Sequence, residues 1–200
     1  MIGFRHADSR LPFLWQTAAQ PAARWHGTGE GPCQYLADSP DGAWAEFLRR
    51  EEITDPIDLA GIERSLWAVE VDDAVLEQAH PVAVPTKTAS LVDTGDLYGD
   101  EGTYIACQAY ARSARSDGAT ELIAPSAALL PGAARGQYTD GDLCEAADRD
   151  GRVWVLYGKR PNLRAWRAVE RGSPSRRVLD LVRHLGYSQD HRISRPLSAQ

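Results

Sequence analysis

Hydrophobic and polar positions fall in short blocks along this chain, and their period changes from block to block. Residues 2–6, IGFRH, read as a short strand, and GTGEGPC at 27–33, with three glycines and a proline, is turn chemistry. QYLAD at 34–38 follows as a strand. Ser39 is a good N-cap, and Pro40 stands at the first helical position, where its missing N–H costs nothing. A helix from about Pro40 to Arg50 is therefore expected. On its wheel Ala43, Trp44, Phe47 and Leu48 share one arc, with Glu46, Arg49 and Arg50 opposite. DPIDLAG reads as a connecting loop. Period-two alternation in SLWAVEVD (65–72) predicts a strand, and DAVLEQA a short helix. Residues 85–100 read as a long loop with a strand inside, and 101–116 as a helix ended by Asp117-Gly118.

The strand ELIA (121–124) stops at Pro125, which has no N–H to give a ladder, and RVWVLYG (152–158) is a further strand. SPSRRVLDLVRHLG (173–186) carries the strongest helical pattern. Ser173 caps it, Pro174 opens it, Val178, Leu181, Val182 and Leu185 share a face, and Gly186 closes it. Strands and helices mix without regular βα alternation, so the expected fold class is α+β in a single domain over residues 1–200.

Composition narrows the function classes. No apolar run approaches the roughly 18 residues of a membrane helix, and the N-terminus lacks the pattern of a signal peptide. A cytoplasmic protein is expected, with no membrane partner. Cys33, Cys107 and Cys144 are widely spaced and without C-x-x-C, which argues for reduced core thiols rather than disulfides or zinc. The five histidines, His6, His26, His80, His184 and His191, show no metal-ligand spacing, so no metal is expected.

The net charge of −6 is unevenly spread: residues 1–100 hold 7 Lys+Arg against 17 Asp+Glu, and residues 101–200 hold 15 against 11. An acidic protein is a poor generic nucleic-acid binder. The basic segment 159–200 reads as helical, with its charges on a solvated face; holding a phosphate or an acidic partner is the alternative. Symmetric dimers are common, and a homodimer stays open because no interface signature stands out.

Three motifs invite chemistry. GTGEG is neither a Walker loop nor a strand-to-helix dinucleotide loop, and a tight hairpin turn suits it better. APSAA is not G-x-S-x-G, so Ser126 reads as a helix cap or turn residue after Pro125. Amphipathicity alone makes Glu46 a solvated carboxylate. The polar face can equally line a cleft, where strand, turn and helix bring Arg24, Tyr35 and Glu46 together: a planar fork for phosphate, a stacking face, and a carboxylate for a ribose hydroxyl or an anomeric cation.

FRH (4–6), ARW…QYLADSPDGAWAE (23–46), the helix after residue 101 and LIAPSA (122–127) occur in the order in which the RES domain family carries its arginines, glutamate and serine. The chain resembles that family, whose members are bacterial toxin-type enzymes acting on NAD. The resemblance implies a fold like that of ADP-ribosyltransferases, with a central split β-sheet flanked by helices and an NAD cleft. It also implies cleavage of the nicotinamide–ribose bond, with inorganic phosphate or water as acceptor, and an antitoxin partner that blocks the cleft. Arg5, Glu46 and Ser126 match its catalytic residues, and Arg24, Tyr35, His6 and Trp25 its NAD-binding positions. His6 stands where many members have Tyr, and Ala23 where Gly is common. ADP-ribosyl transfer to a protein and a catalytically silent partner-binding domain are the two alternatives.

Overall fold

The computed structural model describes residues 1–14, 17, 19–82, 94–130, 133, 137–139, 142–144 and 151–185. Its strands are β1 (Ile2–Asp8), β2 (Cys33–Ala37), β3 (Arg64–Glu70), β4 (His80–Pro81), β5 (Glu121–Pro125), β6 (Gln137–Thr139), β7 (Asp142–Cys144), β8 (Arg152–Tyr157) and β9 (Arg164–Gly172). Seven of them form one sheet in the order β4-β5-β8-β2-β1-β3-β9, while β6 and β7 pair with each other. All contacts in the large sheet are antiparallel except β4 with β5. The helices are α1 (Pro40–Arg50), α2 (Asp73–Glu77), α3 (Thr94–Tyr98), α4 (Tyr104–Ser116) and α5 (Arg176–Leu179). The fold is α+β, as the sequence pattern predicts.

The sheet is nearly split in the middle. β1 pairs with β3 at seven positions and β2 with β8 at five, but β1 and β2 share only the Phe4–Ala37 pair. Beyond that rung the two strands diverge. Gly3 lies beside the rung because β1 runs hard against its neighbours there: a Cβ would stand 2.9 Å from both Leu36 Cβ and the Trp154 ring.

One face of the sheet is covered in two halves. α1 packs Ala43, Trp44, Phe47 and Leu48 over Phe4, Ala37 and Leu66. α4 packs Cys107, Ala111 and Ala114 over Leu122, Ala124, Val153 and Val155. The opposite face buries Leu36, Val69, Trp154 and Leu156 against Leu76 of α2. Burying this apolar surface supplies the main driving force for folding. The gap between α1 and α4 lies above the split.

α1 has the predicted bounds, with Ser39 Oγ accepting from the Gly42 N–H at 3.1 Å and Pro40 at its start. DPIDLAG is a 3₁₀ turn over Pro56–Gly61 rather than an open loop. Two expectations fail in the basic C-terminal segment. Residues 164–172 form strand β9, not helix. The expected helix over 173–186 reduces to α5, because Val182 enters an antiparallel bridge with Leu129. There the Leu130 N–H donates to the Leu181 carbonyl at 2.9 Å and the Arg183 N–H to the Ala128 carbonyl at 2.6 Å. Tertiary pairing thus takes backbone groups that a longer helix would need. The strand expected inside 85–100 falls largely on 83–93, outside the described residues, while 94–98 is α3.

No described helix is long and apolar enough to cross a membrane. Cys33 and Cys107 are buried.

Candidate functional site

Where β1 and β2 diverge, a cavity of about 610 Å³ opens between α1 and the segment that leads into α4. Its size suits a small-molecule ligand. Arg5, His6, Arg24, Tyr35 and Glu46 all border it, as do Arg49 and Arg50.

Glu46 borders the cavity and meets Ser126, whose neighbours Pro125 and Ala127 also border it. The Ser126 hydroxyl donates to Glu46 Oε1 at 2.7 Å and accepts from the Ala128 N–H at 3.1 Å. The Ser126 N–H donates to the Gly151 carbonyl at 2.6 Å. Ser126 is 4% exposed, whereas Glu46 is half-buried at the cavity. Ser126 is thus a turn residue, as its local sequence suggests, and it also fixes the rotamer of a cavity carboxylate. Its hydroxyl is committed inward rather than offered to an incoming anion.

Arg24 is similarly committed. Its Nη1 and Nη2 donate to the Asp96 and Gly99 carbonyls, both at 2.8 Å, and its guanidinium stacks 4.5 Å from the Tyr104 ring centroid. The open phosphate fork expected at Arg24 is instead a clamp on the loop that walls the cavity. Trp25 also borders the cavity, though it is only 2% exposed and its ring packs edge-on to Tyr110. The Tyr35 hydroxyl accepts from the Trp25 N–H at 3.0 Å and lies 3.0 Å from His26 Nδ1. That anchoring fixes a half-buried ring on the cavity wall, and burial raises its phenol pKa well above the ordinary range.

On β1, Arg5 Nη1 donates to Gln34 Oε1 across the diverging strands. His6, on the alternate face, stacks on Trp44 (centroids 6.5 Å apart, planes 14°) and meets Phe47 edge-on at 5.1 Å. The Arg64 Nε–H donates to His6 Nδ1 at 3.0 Å, so Nδ1 is unprotonated and the ring proton sits on Nε2. Burial first, and then the positive charges of Arg64, Arg5 and Arg50, push the His6 pKa down to about 3. The ring is therefore neutral near pH 7.

Arg49 was placed by periodicity on an exposed polar face, and its position is different. It is 6% exposed. Nη1 donates to the Ala127 and Arg183 carbonyls, both at 2.7 Å, and Nη2 to the Tyr98 and Gly99 carbonyls. One guanidinium thus ties α1 to the Ser126 turn, to the chain after α5 and to the cavity loop. The local pattern carried no signal for this, because every acceptor is a remote backbone carbonyl. Among the described residues no group of three or more His, Cys, Asp and Glu side chains is placed to hold a metal ion.

The RES domain model matches residues 4–139, which is more than half of the chain. A probable NAD(+) phosphorylase of Mycobacterium tuberculosis is 35% identical over 116 residues, covering 56% of this chain and 53% of the relative. The chain thus matches about half the length of that curated relative. A chain in the crystal structure of the M. tuberculosis MbcT–MbcA toxin–antitoxin complex superposes with a TM-score of 0.58 at 19% identity, covering 84% of each chain. That likeness is one of fold.

Proposed function

The chain belongs to the RES domain family, and on that premise we propose that it consumes NAD by cleaving the nicotinamide–ribose bond, with inorganic phosphate as acceptor. The reading is supported by the name of the M. tuberculosis relative. The observation that carries it is the Ser126–Glu46 hydrogen bond at the cavity.

With Oε1 held by Ser126, Glu46 keeps its second oxygen for a ribose hydroxyl. Its negative charge is fixed before any charge develops on the substrate, which is where preorganised electrostatics stabilises a transition state. As the C1″–N bond breaks, its electron pair returns to the pyridinium nitrogen and neutralises it. The ring leaves as nicotinamide, so no general acid is needed. Positive charge builds on C1″ and its ring oxygen, next to the Glu46 carboxylate. A phosphate oxygen then bonds to C1″, giving ADP-ribose 1″-phosphate. One carboxylate suffices here, where ordinary glycosidases use two. Tyr35 supplies a flat wall for the substrate, and Arg24 and Arg49 hold the opposite wall in place. A protein inhibitor that covers the cavity is the corresponding partner, in keeping with the toxin–antitoxin complex that shares the fold.

The test is purified protein with NAD, with and without phosphate, the products read by mass spectrometry beside Glu46→Gln. We expect ADP-ribose 1″-phosphate and nicotinamide from the wild type, and at least a hundredfold slower turnover in the variant, about the loss seen on removing one preorganised transition-state contact. Free ADP-ribose irrespective of phosphate would change the acceptor to water, and a modified protein would make it a protein side chain. Equal rates in both proteins would remove Glu46 from the mechanism.

A further inference from the structure

Five guanidinium or imidazole groups border the cavity, those of Arg5, His6, Arg24, Arg49 and Arg50, and most of them are already engaged. Arg24 and Arg49 donate to carbonyls. Arg64 lies behind His6 and over the Phe47 ring at 4.8 Å. Arg183 lies over the Tyr98 ring at 4.1 Å. Arg50 differs from all of these: it borders the cavity and makes no hydrogen bond or ion pair among the described residues.

Position on α1 gives this arginine its meaning. Ala43, Glu46 and Arg50 follow one another at i, i+3 and i+7 along the stripe of the helix that borders the cavity. Glu46 and Arg50, one turn apart, have Cβ atoms about 6 Å from each other. Glu46 Oε1 is held by Ser126, and Arg50 is not within ion-pair distance of it, so the two charges do not cancel. A carboxylate and a guanidinium one helical turn apart on the same cavity wall can engage two parts of one ligand. Arg5, which is held by Gln34, and the His6 ring, whose proton on Nε2 makes it a neutral donor, border the same cavity as Arg50, and the His6 ring feels the charge of both arginines. Glu52 also borders the cavity, as do Asp100 and Glu101.

We propose that Arg50, together with Arg5 and the His6 Nε2–H, forms the subsite that receives a phosphoryl group, with Glu46 one helical turn away at the ribose. The assignment deepens the NAD reading and rests on it for the identity of the ligand. Guanidinium forks suit phosphoryl oxygens through charge-assisted, bidentate hydrogen bonds. The phosphoryl group can belong to the dinucleotide or to inorganic phosphate, and binding measurements separate the two.

Isothermal titration calorimetry of the wild type, Arg50→Ala and Arg50→Lys with ADP-ribose and, separately, with inorganic phosphate tests the subsite. Arg50 is exposed at the end of its helix, so both variants should fold. If the dinucleotide phosphates bind there, ADP-ribose affinity falls at least tenfold in Arg50→Ala, Lys restores part of it, and phosphate affinity is unchanged. If the acceptor binds there, the phosphate affinity falls instead. Unchanged affinities for both ligands overturn the subsite. An NAD consumption assay on the same samples keeps the two readings apart. A consuming enzyme with unchanged affinities loses only the subsite, and a protein that binds through Arg50 but consumes no NAD loses only the proposed reaction.

Discussion

Ser126 Oγ donates to Glu46 Oε1 at 2.7 Å and thereby joins the turn after β5 to the middle of α1, eighty residues apart in sequence. Ser126→Ala removes that donor and the acceptor used by the Ala128 N–H. Misplacement of a reacting group by about 1 Å costs up to about a hundredfold in rate. We expect kcat for NAD loss to fall about ten- to hundredfold with KM little changed, because the contact orients Glu46 and does not bind substrate. Steady-state kinetics checks this, and a rise in KM at constant kcat would contradict it.

Arg49 satisfies four carbonyls from three segments. Arg49→Met keeps most of the packing volume but takes the guanidinium from the Ala127, Arg183 and Tyr98 carbonyls, while the Gly99 carbonyl keeps Arg24. A buried acceptor left without its donor costs about 1–3 kcal/mol. Urea unfolding should show this as a lower midpoint with an unchanged slope. Arg49→Lys should recover only a small part, since a single ammonium cannot span the fork.

His6 makes stability depend on pH with a definite sign. Its folded pKa, about 3, lies below the ordinary value of 6.5. The unfolded chain therefore binds the proton more readily, and stability rises with pH between these limits. It is complete above pH 6.5 and is lost progressively toward pH 3, by at most about 1.4 kcal/mol per pH unit from this one group. Burial lowers the pKa of His26 and His184 as well, and both act in the same direction. The informative comparison is thus with His6→Gln, whose stability curve from pH 7 to pH 4 should be flatter than that of the wild type. Parallel curves would remove His6 as a source of the dependence.

Gly3→Ala would drive a methyl into Leu36 and the Trp154 ring next to the rung that joins the half-sheets. Overpacking of this kind costs about 1–3 kcal/mol. Thermal unfolding should record a lower Tm, and Trp154→Phe in the same background should recover part of the loss by making room.

What could be read from sequence was whatever rested on local chemistry. The Ser39 cap and Pro40 fix α1 to the residue, because their effects are spent within one turn. β9 escaped because Arg164, Arg167 and Arg171 break the apolar alternation of a strand, and its pairing with β3 is visible only in three dimensions. The helical pattern of 173–186 was overridden by the Leu129–Val182 bridge. At the site, residue types could nominate Arg5, Tyr35, Glu46 and Ser126, but not how each spends its hydrogen bonds. Arg24 and Arg49 are chemically alike to Arg50, and only the positions of remote carbonyls distinguish the clamps from the uncommitted fork.

The lone Phe4–Ala37 rung gives this sheet an edge in its interior. An open sheet otherwise has its unpaired peptide groups on its outermost strands, here β4 and β9. Here β1 and β2 pair only at that rung, and Arg5, His6 and Tyr35 of these strands border the cavity. A ligand seated in that gap can complete the interrupted ladder with its own amide, hydroxyl or phosphoryl oxygens. The backbone then acts as part of the recognition surface, and no point substitution that preserves the strands can remove it.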